Sequence, residues 1–199
     1  MMSNPSQEWA GEFGNDYTAR QVLGLPARKA MFARILASTH GVRSVMEFGA
    51  NTGENLRALR ELLPGVHLAG IDVNRRAVDD LIKVADFAAQ GELGGPIFWG
   101  LVDLVMTRGV LIHIPQEKLA AAYAALHTHA NRYILIAEYY SPKAREILYR
   151  GKPGMLWARD FAGDLMDAFP LRLVDYGFIY HRDPDHPQDD LTWFLMEKR

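Results

Sequence analysis

The sequence contains no cysteine, which excludes disulfides, thiolate metal sites and a cysteine nucleophile. Neither charge is in large excess: 22 lysines and arginines face 24 aspartates and glutamates, for a net charge of −2. A polyanion-binding surface is not indicated, and nucleic acid is not an expected partner. No apolar run approaches the roughly 18 residues that would mark a membrane span. Residues 1–16 are polar and acidic and lack the basic and apolar regions of a leader. No membrane association is therefore expected, and cytoplasmic residence is the default. Internal repeats and low-complexity stretches are also missing. What is present is an ordinary globular balance, 49% hydrophobic and 23% charged, over 199 residues. That length suits a single domain, residues 1–199, with a sizeable core.

Hydrophobic periodicity gives the order of elements. Residues 17–40 read as helical, broken at Pro26. Residues 44–48 (SVMEF) form a short apolar run that ends in a glycine turn, as a buried strand does. Residues 55–63 have helical spacing, with Leu56, Leu59 and Leu63 on one face, and Pro64-Gly65 ends them. Residues 67–72 (HLAGID) read as a second strand and residues 75–90 as a second helix. The third strand is expected within residues 96–99. Residues 102–106 and 132–139 supply two more strands, separated by a helix that begins at Pro115. A helix near residues 159–168 follows. Residues 171–181 and 191–197 close the chain as an antiparallel hairpin across an acidic turn. Alternating strands and helices predict a doubly wound, mainly parallel α/β sheet of six or seven strands, Rossmann-like, with an antiparallel edge strand.

The most informative stretch is Glu47-Phe48-Gly49-Ala50-Asn51-Thr52-Gly53. Small residues at a strand end let the backbone approach a ligand, and the helix that follows offers free N–H groups. Asp72 ends the next strand, where a carboxylate can accept both hydroxyls of a ribose. The combination describes a nucleoside-cofactor pocket. Its glycine spacing does not match the Gly-x-Gly-x-x-Gly of dinucleotide sites, and there is no Gly-Lys-Ser/Thr of a P-loop. An acid at Glu47 suits a cationic ligand. S-adenosylmethionine (SAM) carries an ammonium and a sulfonium, whereas a dinucleotide carries a pyrophosphate. The competing reading is a tight structural turn beside a surface aspartate.

The same stretch resembles the first motif of the class I SAM-dependent methyltransferases, an acid followed by three alternating glycines. Asn51 stands where the middle glycine would be, and Asn tolerates unusual backbone angles. A closer resemblance is to the methylases associated with pseudaminic acid biosynthesis. It rests on residues 8–17 (EWAGEFGNDY), 48–55 (FGANTGEN) and 107–114 (TRGVLIHI). The resemblance implies SAM as cofactor, while the family name says little about the acceptor. The glycine turn, Asp72 and the lack of a macromolecule-binding tail suggest a small acceptor: an oxygen or nitrogen of a sugar, nucleotide-sugar or amino-acid derivative. The resemblance also implies an N-terminal helical lid, residues 1–40, in which Trp9, Phe13, Tyr17 and Arg20 cover the cofactor. Such enzymes usually carry an acid after the third strand that contacts adenine. Residues 96–100 (PIFWG) contain none, and Phe98 or Trp99 either stacks on the base or packs in the core. The missing acid and Asn51 motivate an alternative, a non-catalytic SAM-binding protein of the same fold.

The expected cofactor site is thus Tyr17, Arg20, Glu47, Gly49, Ala50, Asn51, Gly53, Asp72, Val73, Arg108 and Gly109. Arg108 has a structural alternative, pairing with an acid. For the chemistry, His113 is a candidate general base, against a histidine that packs at a helix entry. Tyr139 is a second candidate, since only one of Tyr139 and Tyr140 can face the pocket. Arg145, Arg150, Lys152 and Arg159 form either a solvated face or an anion clamp. No metal is expected. His181, His186 and the acids of residues 183–190 read more simply as a surface turn.

Overall fold

The computed structural model describes residues 5–20, 24–97 and 99–199, with only the backbone of Arg20. Three helices, α1 (Pro5–Ala10), α2 (Glu12–Arg20) and α3 (Leu25–Leu36), precede the sheet. β1 (Ser44–Phe48) leads through the glycine turn to α4 (Glu54–Leu62), β2 (His67–Asp72), α5 (Arg75–Leu81) and β3 (Phe87–Gln90). β4 (Val102–Arg108) is followed by two 3-10 turns, α6 (Leu119–His129) and β5 (Ala130–Glu138). A small hairpin of β6 (Arg145–Glu146) and β7 (Trp157–Ala158) comes next, then α7 (Phe161–Ala168), β8 (Leu171–Ile179) and β9 (Leu191–Lys198).

Among the described residues the main sheet has seven strands in the order β3-β2-β1-β4-β5-β9-β8. The first five pair in parallel, and β9 runs antiparallel to both β5 and β8. The doubly wound sheet and its closing hairpin are as the sequence predicts. The antiparallel strand, however, is not the edge: β9 inserts beside β5 and leaves β8 outermost. Side chains alternate between two cores. Met46, Phe48, Ile134 and Ile136 pack with α6 and α7, while Val45, Leu104, Leu135 and Trp193 pack with α3 and α4. Being covered on both faces is why the central strands are apolar throughout rather than alternating.

The second helix is shorter than the periodicity predicts, and the third strand lies earlier. The helix ends at Leu81 and residues 87–90 (FAAQ) form β3. Ala88 and Ala89 carry little strand signal, so register against β2 decides. The Asp86 amide donates to Leu68 O at 2.8 Å, and the Asp86 carboxylate accepts from Leu68 N at 2.7 Å and from Arg60. Trp99, expected in or beside the third strand, instead stacks on Phe87 at 4.2 Å. Phe98 lies outside the described residues. No helix among the described residues is long and apolar enough to cross a membrane.

The sequence reading puts residues 1–40 in the lid, yet α3 belongs to the core. Phe32 and Ile35 are fully buried against α4 and the sheet, on the face of α3 that also buries Met31. Phe32→Ala is expected to destabilise the protein by about 3–5 kcal/mol, read as a shift of the urea midpoint. A loss below ~1 kcal/mol would mean α3 is peripheral.

Candidate functional site

In this order the chain turns opposite ways after β1 and after β4, and a crevice opens outside their carboxyl ends. A cavity fills it. Its walls include the glycine turn (Gly49 to Thr52), Asp72 to Asn74 after β2, Gly91 to Leu93 after β3, Arg108 to Val110 after β4, and Trp9 and Tyr17 from above.

The turn is built for close approach. Gly49 has φ 69°, and a Cβ there would overlap Val110 Cγ2. Asn51 adopts φ 47°, so it does the backbone work of a glycine. The Asn51 amide donates to Asp72 Oδ2 at 2.8 Å, and Asn74 N donates to Oδ1 at 2.8 Å. The carboxylate keeps acceptor capacity for a ligand hydroxyl. Burial pushes the Asp72 pKa up, and these amides pull it back.

Glu47 lies beneath the turn, fully buried. Its Oε1 accepts from Asn55 Nδ2 at 2.5 Å, Asn55 Oδ1 accepts from Arg28 Nη1, and Oε2 has no partner among the described residues. Burial pushes the Glu47 carboxyl up to about 7, against the pull of Asn55 and the Arg28 and Arg108 guanidiniums. A second buried carboxylate, Glu138 at the end of β5, holds the opposite wall. It accepts from Thr107 Oγ1 at 2.9 Å, Val110 N at 3.0 Å and Ile112 N at 3.4 Å, and burial pushes it also to about 7.

The cap consists of α1 and α2. Trp9 packs edge-on to Phe13 at 5.0 Å and to Tyr17 at 5.1 Å, and lies 4.6 Å from the His113 ring. Polar ties fasten the cap to the pocket walls. Asn74 Nδ2 donates to Trp9 O and Asn15 Oδ1, Thr18 donates to Asn51 Oδ1, and Ser6 donates to Glu92 Oε1. Arg20's side chain lies outside the described residues.

The structure therefore brings together Tyr17, Gly49, Ala50, Asn51, Asp72, Val73, Arg108, Gly109 and His113. It leaves three expected residues off the cavity wall. Glu47 sits below it. Gly53 is the N-cap of α4, with Leu81 and Val84 where a Cβ would go. Tyr139 packs half-buried among core side chains, and Tyr140 lies exposed over Phe194. Sequence reasoning missed Asn55, Arg28, Asn74 and Glu92. The acid thought missing after the third strand is Glu92, two residues past the true β3, where it accepts from Lys118 at 2.8 Å. Of the proposed anion clamp, Lys152 pairs with Glu8, Arg159 with Asp164, and Arg150 lies over Phe13 and Tyr149. In the acidic turn His181 pairs with Asp190, and Asp183 accepts from two turn amides. Among the described residues no three His, Asp or Glu side chains gather as a metal site.

No protein-family model and no curated protein matches the sequence. Solved structures do match its shape. Magnesium protoporphyrin IX methyltransferase from Synechocystis PCC 6803, with bound S-adenosylhomocysteine (SAH), superposes with a TM-score of 0.73 at 15% identity over 98% of both chains. An N1-methyltransferase of 1,6-didemethyltoxoflavin from Burkholderia thailandensis gives 0.69 at 13% identity, over 96% of this chain and 84% of that one. An amino pentose methyltransferase from Micromonospora echinaspora gives 0.65 at 11%, over 95% and 97%. The fold is that of the SAM-dependent methyltransferases. The cavity sits at the crevice expected of that fold, with Asn51 in a glycine-like backbone angle and Glu92 on the wall after β3.

His113 is the histidine on the wall. Its Nδ1 lies 2.6 Å from Met155 O, and a carbonyl only accepts, so Nδ1 carries the proton and Nε2 keeps the lone pair. Burial pushes its pKa down to about 4, so the imidazole is neutral well below pH 7. A depressed value means the unfolded state binds the proton first. Its contribution to stability is therefore present above about 6.5 and lost as pH falls through about 4. Relative to His113→Phe, the wild type is expected to lose on the order of 3 kcal/mol between those limits. Parallel pH–stability curves for the two proteins would contradict a buried neutral imidazole.

Proposed function

We propose that the chain is an enzyme that transfers a methyl group from SAM to an oxygen or nitrogen of a small polar metabolite. A sugar, nucleotide-sugar or amino-acid derivative is the preferred class. The observation that carries the reading is Asp72: a buried carboxylate at the end of β2, fixed by two turn amides, on the wall of the crevice beside β1. The residues present fit the cofactor. Asp72 would hold the ribose hydroxyls, and Glu92 and Leu93 would border the base. Glu47, beneath the turn with one unpartnered oxygen, would favour the ammonium above it from below the cavity wall. When bound, SAM supplies an electrophilic methyl on a sulfonium.

This chain's own residues then align, exclude water and manage a proton. Trp9 and Tyr17 roof the cavity, so that α1 and α2 act as the lid of a single domain. Glu138 fixes the residues 107–112 wall, and with it the distance between donor and acceptor sides. His113, with its tautomer set by Met155, offers Nε2 as base to a hydroxyl acceptor. An already neutral amine would need alignment alone. Tyr139 has no such route in this arrangement. The balanced charge, with no polyanion-binding surface, supports a small acceptor. A cytoplasmic location and no nucleic-acid or membrane partner belong to the same reading.

Asp72→Ala tests it. Loss of charge-assisted hydrogen bonds is expected to weaken SAH binding about 10- to 100-fold by calorimetry. It should also cost about 1–3 kcal/mol of stability, because two amides lose their acceptor. A folded variant that binds SAH as the wild type does would remove the ribose assignment.

A further inference from the structure

Arg108 is a guanidinium on the cavity wall that no carboxylate contacts among the described residues, although the buried Glu47 feels its charge. It makes no ion pair among the described residues, and its Nε is buried without a partner. The structural alternative, pairing with an acid, is therefore not what holds it. Its hydrogen-bond partner is an amide: Nη2 donates to Gln188 Oε1 at 3.2 Å. Gln188 is itself buried and locked, its Nε2 donating to Ala27 O at 3.1 Å in the first turn of α3. That second bond fixes which end of the amide faces Arg108. The turn at residues 183–190 holds four aspartates, yet the residue it sends inward is neutral.

A half-buried guanidinium costs desolvation that only a counter-charge repays. Here an amide orients the fork without cancelling it, and a second guanidinium, Arg28, is close enough for the Arg108 charge to lower its pKa. We propose that Arg108, oriented by Gln188, is an anion subsite that takes a carboxylate or phosphate group of a ligand in the cavity. The planar fork suits bidentate binding of such a group. The anion has two sources, the α-carboxylate of the cofactor or an acidic group on the acceptor. Both sources rest on the proposed methyl-transfer reading, whereas the anion subsite itself does not.

The test is calorimetry on the full chain with three probes: SAH, 5′-methylthioadenosine (which lacks the amino-acid portion), and inorganic phosphate. Arg108→Gln and Gln188→Glu are compared with the wild type, and Gln188→Glu places a carboxylate against the guanidinium. If the cofactor is the source, both variants should lose about 10- to 100-fold in SAH affinity while methylthioadenosine binding holds. If the acceptor is the source, SAH affinity should hold. The wild-type SAH complex should then bind phosphate, and both variants should lose that binding. Gln188→Leu separates charge from packing, because it leaves Arg108 unneutralised and should lose less than Gln188→Glu. Arg108→Lys keeps the charge without the fork and serves if Arg108→Gln fails to fold. SAH and phosphate binding both indifferent to Arg108 would overturn the inference. A wild type that binds neither nucleoside contradicts the cofactor reading instead, and phosphate titration of the ligand-free protein then decides the anion subsite alone.

Discussion

The site depends on the Asp72 carboxylate more than on any other single group. It sits at the end of β2 and accepts a backbone amide from each of two neighbouring segments, the glycine turn through Asn51 and the N-cap of α5 through Asn74. Those two residues in turn tie down the cap, Asn51 through Thr18 and Asn74 through Trp9 and Asn15. One buried charge thus sets the turn, the helix start and the roof, and still has lone pairs to offer the cavity. The cost is desolvation, seen in its raised pKa, and the turn amides repay part of it.

The same device recurs at the ends of β1 and β5 with different partners. Glu138 is satisfied by a hydroxyl and backbone amides and works as a structural clamp on one wall. Glu47 is satisfied on one oxygen only, by a side-chain amide that Arg28 holds in place. A buried carboxylate with a vacant oxygen is costly unless something cationic meets it. Arg108 is the mirror case, a cation braced by a neutral amide. Arg108 on the cavity wall and Glu47 beneath it thus leave one incompletely met charge of each sign at the site, which suits a zwitterionic ligand better than a polyanion such as a dinucleotide.

The frame of the fold was legible because it is encoded locally. Residues 44–48 and 67–72 announce themselves by unbroken apolar character, and the glycines and Asp72 by position relative to those strand ends. β3 was not legible, since Ala88 and Ala89 favour a helix and only pairing with β2 through Asp86 makes them a strand. That one shift hid Glu92 as the acid that follows. Asn74 carried a local signal, an Asn just before a helix, and its side chain does accept from Ala77 N; its link to the cap did not show. Arg28 and Gln188 gave no signal, because their partners lie 27 and 80 residues away and only the folded sheet brings them together.

The reading stands or falls on whether this cavity accepts an adenosyl amino acid. Calorimetric titration of the wild-type chain with SAH, and separately with NAD, tests it most directly. One SAH per chain, displaced competitively by SAM, and no binding of NAD are expected. Tight binding of NAD, or no binding of SAH by the folded protein, would contradict it.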